Sequence, residues 1–188
     1  MSEINYFNTD PKFIKAKYFN KGRVKPVELI VIHTMEAPEK GSTAENVGNY
    51  FQNIGVKAST HYGVDNDSVV QYVYDSNTAF GCKNANANGL HIEHAGYAKQ
   101  NTQDWNDPYS IAMLKKSAQI SAYLCEKFNI PVQMAEFHGK YDFRVKKRGF
   151  CGHVDVPLHG THYDPGTDFP WGYYLELVNE VLRINKVI

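Results

Sequence analysis

Val27-Glu28-Leu29-Ile30-Val31-Ile32-His33 is a nearly uninterrupted apolar, β-branched run of strand length. Such a run suits a central strand of a sheet. It ends on a histidine that opens a polar loop, and ligands of α/β folds gather beyond strand ends. Downstream, Ser42 with Glu45 has the form of a capping box, and Val47, Tyr50, Phe51 and Ile54 follow at helical spacing, so a helix is expected over 43–54. His61 to Asp65 and Val69 to Tyr74 flank Asn66-Asp67-Ser68 in a hairpin pattern. Leu90 to Ala95 reads as a further strand, and Ile111, Leu114, Ala118, Ser121, Cys125 and Phe128 mark a long helix over 109–128. Glu176 to Ile184 gives a last helix. Strands interspersed with helices predict a single α/β domain, a mixed central β-sheet flanked by helices.

Upstream of the first core strand, residues 1–26 are polar and aromatic and are expected to wrap the domain formed by 27–188. The whole chain of 188 residues suits one core. Lys+Arg and Asp+Glu both number 20, so no overall field draws in nucleic acid or an anionic membrane. No apolar run is long enough to insert into a bilayer. The start Met1-Ser2-Glu3-Ile4-Asn5 has neither the basic nor the apolar part of a signal peptide, which predicts cytoplasmic synthesis. Cys82, Cys125 and Cys151 are odd in number and widely spaced, so they read as free thiols. Lys140, Arg144, Lys146, Lys147 and Arg148 form a basic cluster that reads as a solvated loop.

Among eight histidines, position tells more than number. His33 closes the core strand, while Gly152-His153-Val154-Asp155-Val156-Pro157 leads into Thr161-His162-Tyr163-Asp164-Pro165-Gly166. Two imidazoles and a carboxylate, with the fourth position left to water, make a hydrolytic zinc site. Those segments, with Val31-Ile32-His33-Thr34, Ser59-Thr60-His61-Tyr62, Ile92-Glu93-His94-Ala95-Gly96-Tyr97 and Phe169-Pro170-Trp171, resemble the type-2 N-acetylmuramoyl-L-alanine amidases. That family includes phage endolysins, a muropeptide-recycling amidase and the peptidoglycan recognition proteins.

The resemblance implies one catalytic Zn2+ held by His33, His153 and Asp164, with Asp155 as a nearby rival carboxylate that more plausibly fixes its loop. It further implies Glu93 as the residue that handles the attacking water, and His162 as a donor facing the reacting carbonyl. The implied substrate is peptidoglycan or a muropeptide. The lytic, endolysin-type role leads, reaching the wall once the membrane is permeabilised; a cytosolic recycling amidase and a non-catalytic peptidoglycan-binding module are the alternatives. Tyr62, His91 and Trp171 are candidates for contacts with substrate, although packing is the blander role for Tyr62 and Trp171. Strand alternation puts His91 on the face of Glu93, where it could also support a metal ligand, and sends His94 to the opposite face as a packing residue. His61 and His138 read as structural, and His159 as an exposed loop residue. Two departures stand out: relatives often carry a small residue at the place of His91, and many carry an imidazole at the place of Gly81.

Overall fold

The computed structural model describes residues 11–185. Strands β1 (Lys12–Phe13), β2 (Leu29–Thr34), β3 (Tyr62–Val64), β4 (Val69–Gln71), β5 (Gly89–His94) and β8 (Gly149–Gly152) form one sheet. Its order is β1-β4-β3-β5-β2-β8, mixed in direction: only the β3–β4 hairpin is antiparallel. A separate two-stranded ribbon joins β6 (Glu136–Gly139) to β7 (Asp142–Lys147). The helices are α1 (Thr43–Phe51), α2 (Thr102–Trp105), α3 (Pro108–Phe128) and α4 (Trp171–Asn185). No helix among the described residues is long and apolar enough to cross a membrane.

Strand β2 is buried at all six positions and lies between two parallel neighbours, as its β-branched run predicts. Ile30 and Ile32, with Leu90 and Ile92 of β5, face α3 and α4 in the largest core cluster. The next residues along each strand point the other way. Leu29 and Val31 pack with Cys82, Ala85, Cys151 and Val156, and His33, His91 and Glu93 continue that second face toward the strand ends. Cysteines 82, 125 and 151 are all free and buried. His94 lies on the helical face, its ring within 2.7 Å of the Ser117 hydroxyl. Burial lowers its pKa to about 4, so it is a neutral packing residue.

Several local expectations are revised. Helix α1 stops at Phe51, which leaves Tyr50 and Ile54 exposed rather than on the buried stripe. Ser42 sits at the N-cap without a side-chain bond; instead the Asp65 carboxylate, from the β3–β4 turn, accepts from the Ala44 amide at 3.0 Å. Residues 1–10 of the expected N-terminal extension lie outside the described residues; Lys12–Phe13 add β1 as an edge strand beside β4. The basic cluster lies on the β6–β7 ribbon and the turn after it, not in a loop. There Arg144 pairs with Asp142, and Lys146 and Lys147 pair with Glu136.

Candidate active site

The parallel register sets His33 directly beside Glu93 at the carboxyl ends of β2 and β5. Strand β8 runs parallel on the other side and ends at Gly152, so the single 3-10 turn that follows, His153–Asp155, delivers His153 to the same edge. Asp155 accepts the Gly152 amide at 2.7 Å, which holds this turn shut and occupies that carboxylate. The loop beyond it returns with Asp164. His33 Nδ1 lies 2.9 Å from Asp164 Oδ2, and His153 Nδ1 lies 3.4 Å from Asp164 Oδ1. The donor atoms of His33, His153 and Asp164 all fall within 4.8 Å of one another.

The electrostatics suit a cation. Burial works against charge on Asp164, but its contacts with His153 and His33 outweigh that and hold the carboxyl well below its ordinary range. Burial also opposes charge on His153, yet Asp164 and Cys82 pull its pKa up to about 9. Burial dominates at His33 and lowers it. Glu93 is pushed well above the usual carboxylate range, first by burial and then by Asp164, and its Oε2 is enclosed without a hydrogen-bond partner among the described residues. Two carboxylates and two imidazoles crowded at one buried edge form a donor set that fits a divalent ion such as zinc.

His162 is the open side of the site. Its side chain is 58% exposed, its ring stacks on His153 with centroids 4.0 Å apart, and its Nδ1 is 3.6 Å from Asp164 Oδ1. A cleft of about 270 Å³ extends from His153 and His162 between Gly81, Lys83 and Lys57 on one wall and Leu158 and His159 on the other. His159, expected to be exposed, is half-buried in that wall.

The three residues anticipated as substrate contacts, Tyr62, Trp171 and His91, lie away from this cleft. Tyr62 is 3% exposed and belongs to the helical-side core, because its register opposite Ile92 turns it away from Glu93's face. Its hydroxyl donates to Asp75 at 2.7 Å. Trp171 packs on Phe169 with ring centroids 4.7 Å apart and against the same core, so it does not line the cleft. His91 is fully buried beneath His33 and does not line the cleft.

His61, Arg23 and Gly81 sit around His91. His61 is buried, its Nδ1 accepts the His91 amide at 3.1 Å, and burial together with Arg23 lowers its pKa to about 3. Arg23 donates to the Asp75 and Gly89 carbonyls and so ties the N-terminal segment to the sheet. Gly81 backs the His91 ring: a Cβ there would stand 2.8 Å from Cγ. The two departures noted at positions 81 and 91 are therefore one spatial feature, an imidazole filling room that a glycine leaves.

Known proteins place this geometry. The chain is 30% identical over 160 residues to N-acetylmuramoyl-L-alanine amidase A of Achromobacter lyticus, covering 80% of this chain and 82% of that one. In structure it resembles the Staphylococcus aureus hydrolase AmiA in complex with its ligand: TM-score 0.70, 20% identity, 95% of this chain and 86% of that one. It also resembles a mutant endolysin from Bacillus subtilis, with TM-score 0.62 and 13% identity over 90% of this chain and 99% of that one. The sequence pattern of the family described as N-acetylmuramoyl-L-alanine amidase matches residues 23–167, a span running from Arg23 past Asp164. With the match enclosing all four residues gathered at the sheet edge, the chain belongs to the N-acetylmuramoyl-L-alanine amidase family and is an enzyme that cleaves that amide in peptidoglycan.

Proposed function

We propose that this amidase is a zinc-dependent lytic enzyme of the phage-endolysin type, with His33, His153 and Asp164 as the ligands, Glu93 as the proton carrier and His162 as a donor to the reacting carbonyl. The observation that carries the reading is the convergence of three donor atoms within 4.8 Å beside a buried, unpartnered carboxylate oxygen. When bound there, zinc would supply Lewis acidity and bring the pKa of a coordinated water to about 7.

The residues of the chain supply the rest. Glu93 accepts a proton from the water that attacks the lactyl carbonyl and delivers it to the leaving nitrogen of L-alanine. Its raised proton affinity suits the accepting half of that task, since a strongly acidic carboxyl would be too weak a base to take the proton of the water. Among the described residues Oε2 has no competing partner to hold it away from the water. His162 is exposed to the cleft and stacked on His153, where an N–H can meet the oxyanion of the tetrahedral intermediate.

His162, Phe169-Pro170-Trp171 and the likeness of the fold to endolysin catalytic domains support the lytic role. Intact sacculi and soluble muropeptides digested in parallel test it, with new L-alanine amino termini counted in each. Faster release from sacculi, abolished by chelation and restored by zinc, is the expected outcome. Cleavage confined to soluble muropeptides assigns a recycling role instead, and full activity in verified metal-free protein removes zinc from the mechanism.

A further inference from the structure

The chemistry above leaves one buried group at the site unused. His91 is 0% exposed. Its Nδ1 lies 3.0 Å from Nε2 of His33, the nitrogen on the opposite side of the ring from the one facing Asp164. The two rings are 5.3 Å apart and tilted by 40°. The ring of His91 also stacks on His61, with centroids 5.7 Å apart and planes 10° from parallel. Its backbone amide donates to His61 Nδ1. Gly81 closes the remaining side, since even a Cβ there would stand 2.9 Å from His91 Nδ1. The ring is thus boxed in, with one nitrogen aimed at a candidate ligand.

An imidazole binds a metal through a nitrogen that carries no proton, so a ligand histidine must keep its one proton on the other nitrogen. Something has to accept that N–H, and usually it is a carboxylate, a backbone carbonyl or water. At His33 the group in place is another imidazole. It adds no charge to an edge that already holds Glu93 and Asp164. Nε2 of His91 has no partner among the described residues, so His33 alone decides which tautomer His91 adopts.

We propose that His91 is a positioning residue for His33: its Nδ1 accepts the His33 Nε2–H and thereby reserves His33 Nδ1 for the ion. The proposal rests on the zinc reading given above. It differs from a packing role because it depends on one acceptor atom and not on the volume of the ring.

Asparagine and leucine have nearly the same shape and differ in that acceptor, because the Oδ1 of Asn occupies the place of His Nδ1. Zinc dissociation constants of wild type, His91→Asn and His91→Leu, measured by competition with a chromophoric chelator, test the proposal directly. His91→Leu should bind zinc 10- to 100-fold more weakly than His91→Asn, the usual effect of losing such a partner. Their metal-free melting temperatures should be similar. Equal zinc affinity in the two variants overturns the proposal while leaving the zinc site intact. Absence of zinc binding in wild type overturns both. Should neither variant fold, two-bond proton–nitrogen correlation spectra of zinc-loaded wild type still decide: Nδ1 of His91 should be unprotonated, and a protonated Nδ1 refutes the proposal.

Discussion

Replacing Glu93 with glutamine should make this enzyme more stable and nearly inactive at once. Oε2 of Glu93 is enclosed without a partner among the described residues, and burial followed by Asp164 raises its pKa well above the ordinary 4.5. Because the folded-state value is raised, the folded protein holds this proton more tightly than the unfolded chain does. Stability from this group is complete below pH ~4.5 and is lost as pH rises toward the folded value. Glutamine keeps the shape and an unsatisfied polar group but removes the charge. The charged part of an unsatisfied buried group is worth about 1–2 kcal/mol. For a domain of this size that raises the melting temperature of metal-free protein by roughly 2–8 °C at neutral pH. Differential scanning calorimetry from pH 4 to pH 8 should show the gap between variant and wild type open with rising pH and vanish at the acid end. Zinc should narrow it, since the cation stabilises the ionised carboxylate. Turnover should meanwhile fall by roughly 10²–10⁴ with zinc content unchanged. A variant melting at or below wild type across the range would show that Glu93 is not a strained carboxylate, and wild-type turnover would remove it from the reaction.

His33→Ala and His153→Ala should each lose stoichiometric zinc by atomic absorption along with activity, and retained zinc would mean that the ligand is misassigned. His162→Ala should lower kcat by roughly 10²–10³ with zinc retained, the cost of one oxyanion donor, while His162→Lys keeps measurable activity; loss of zinc on His162→Ala would make His162 a ligand. Tyr62→Phe should cost about 1 kcal/mol in urea unfolding by leaving Asp75 short of a partner, with KM unchanged; a raised KM would return Tyr62 to the cleft. Gly81→Ala should lower stability by about 1–3 kcal/mol, because its Cβ would stand 2.8 Å from His91 Cγ. Combined with His91→Ala the loss should shrink, and strict additivity in that cycle would show that the two positions are independent.

What was legible in the sequence was whatever is decided within one segment. The β2 run announces its burial, and strand alternation separates His91 and Glu93 from His94 without any tertiary information. Features decided between segments were not legible. The face of Tyr62 depends on its register opposite Ile92, which no pattern within three strand residues can fix. The cap of α1 comes from Asp65 in a turn 21 residues away from the amide it holds, so the local Ser42–Glu45 signal placed the cap on the wrong residue. Strand β7 does alternate polar and apolar residues from Asp142 to Lys146, a strand signal that the basic cluster on its polar positions masked as a solvated loop. The departures at Gly81 and His91 were each visible, and only the fold made them neighbours.

His33 and Asp164 meet across 131 residues of sequence. An ion gripping both, and His153 as well, would act as a reversible cross-link that closes most of the chain into a loop, comparable to a disulfide in the entropy it removes from the unfolded ensemble. Between His153 and Asp164 the connecting segment is largely exposed, with Leu158, Gly160, Thr161, His162 and Tyr163 open to solvent. That stretch is where metal loss should first register, as faster amide exchange and protease nicking while the sheet amides stay protected. Metal occupancy would then govern how long the enzyme survives in a protease-rich lysate as well as whether it cuts.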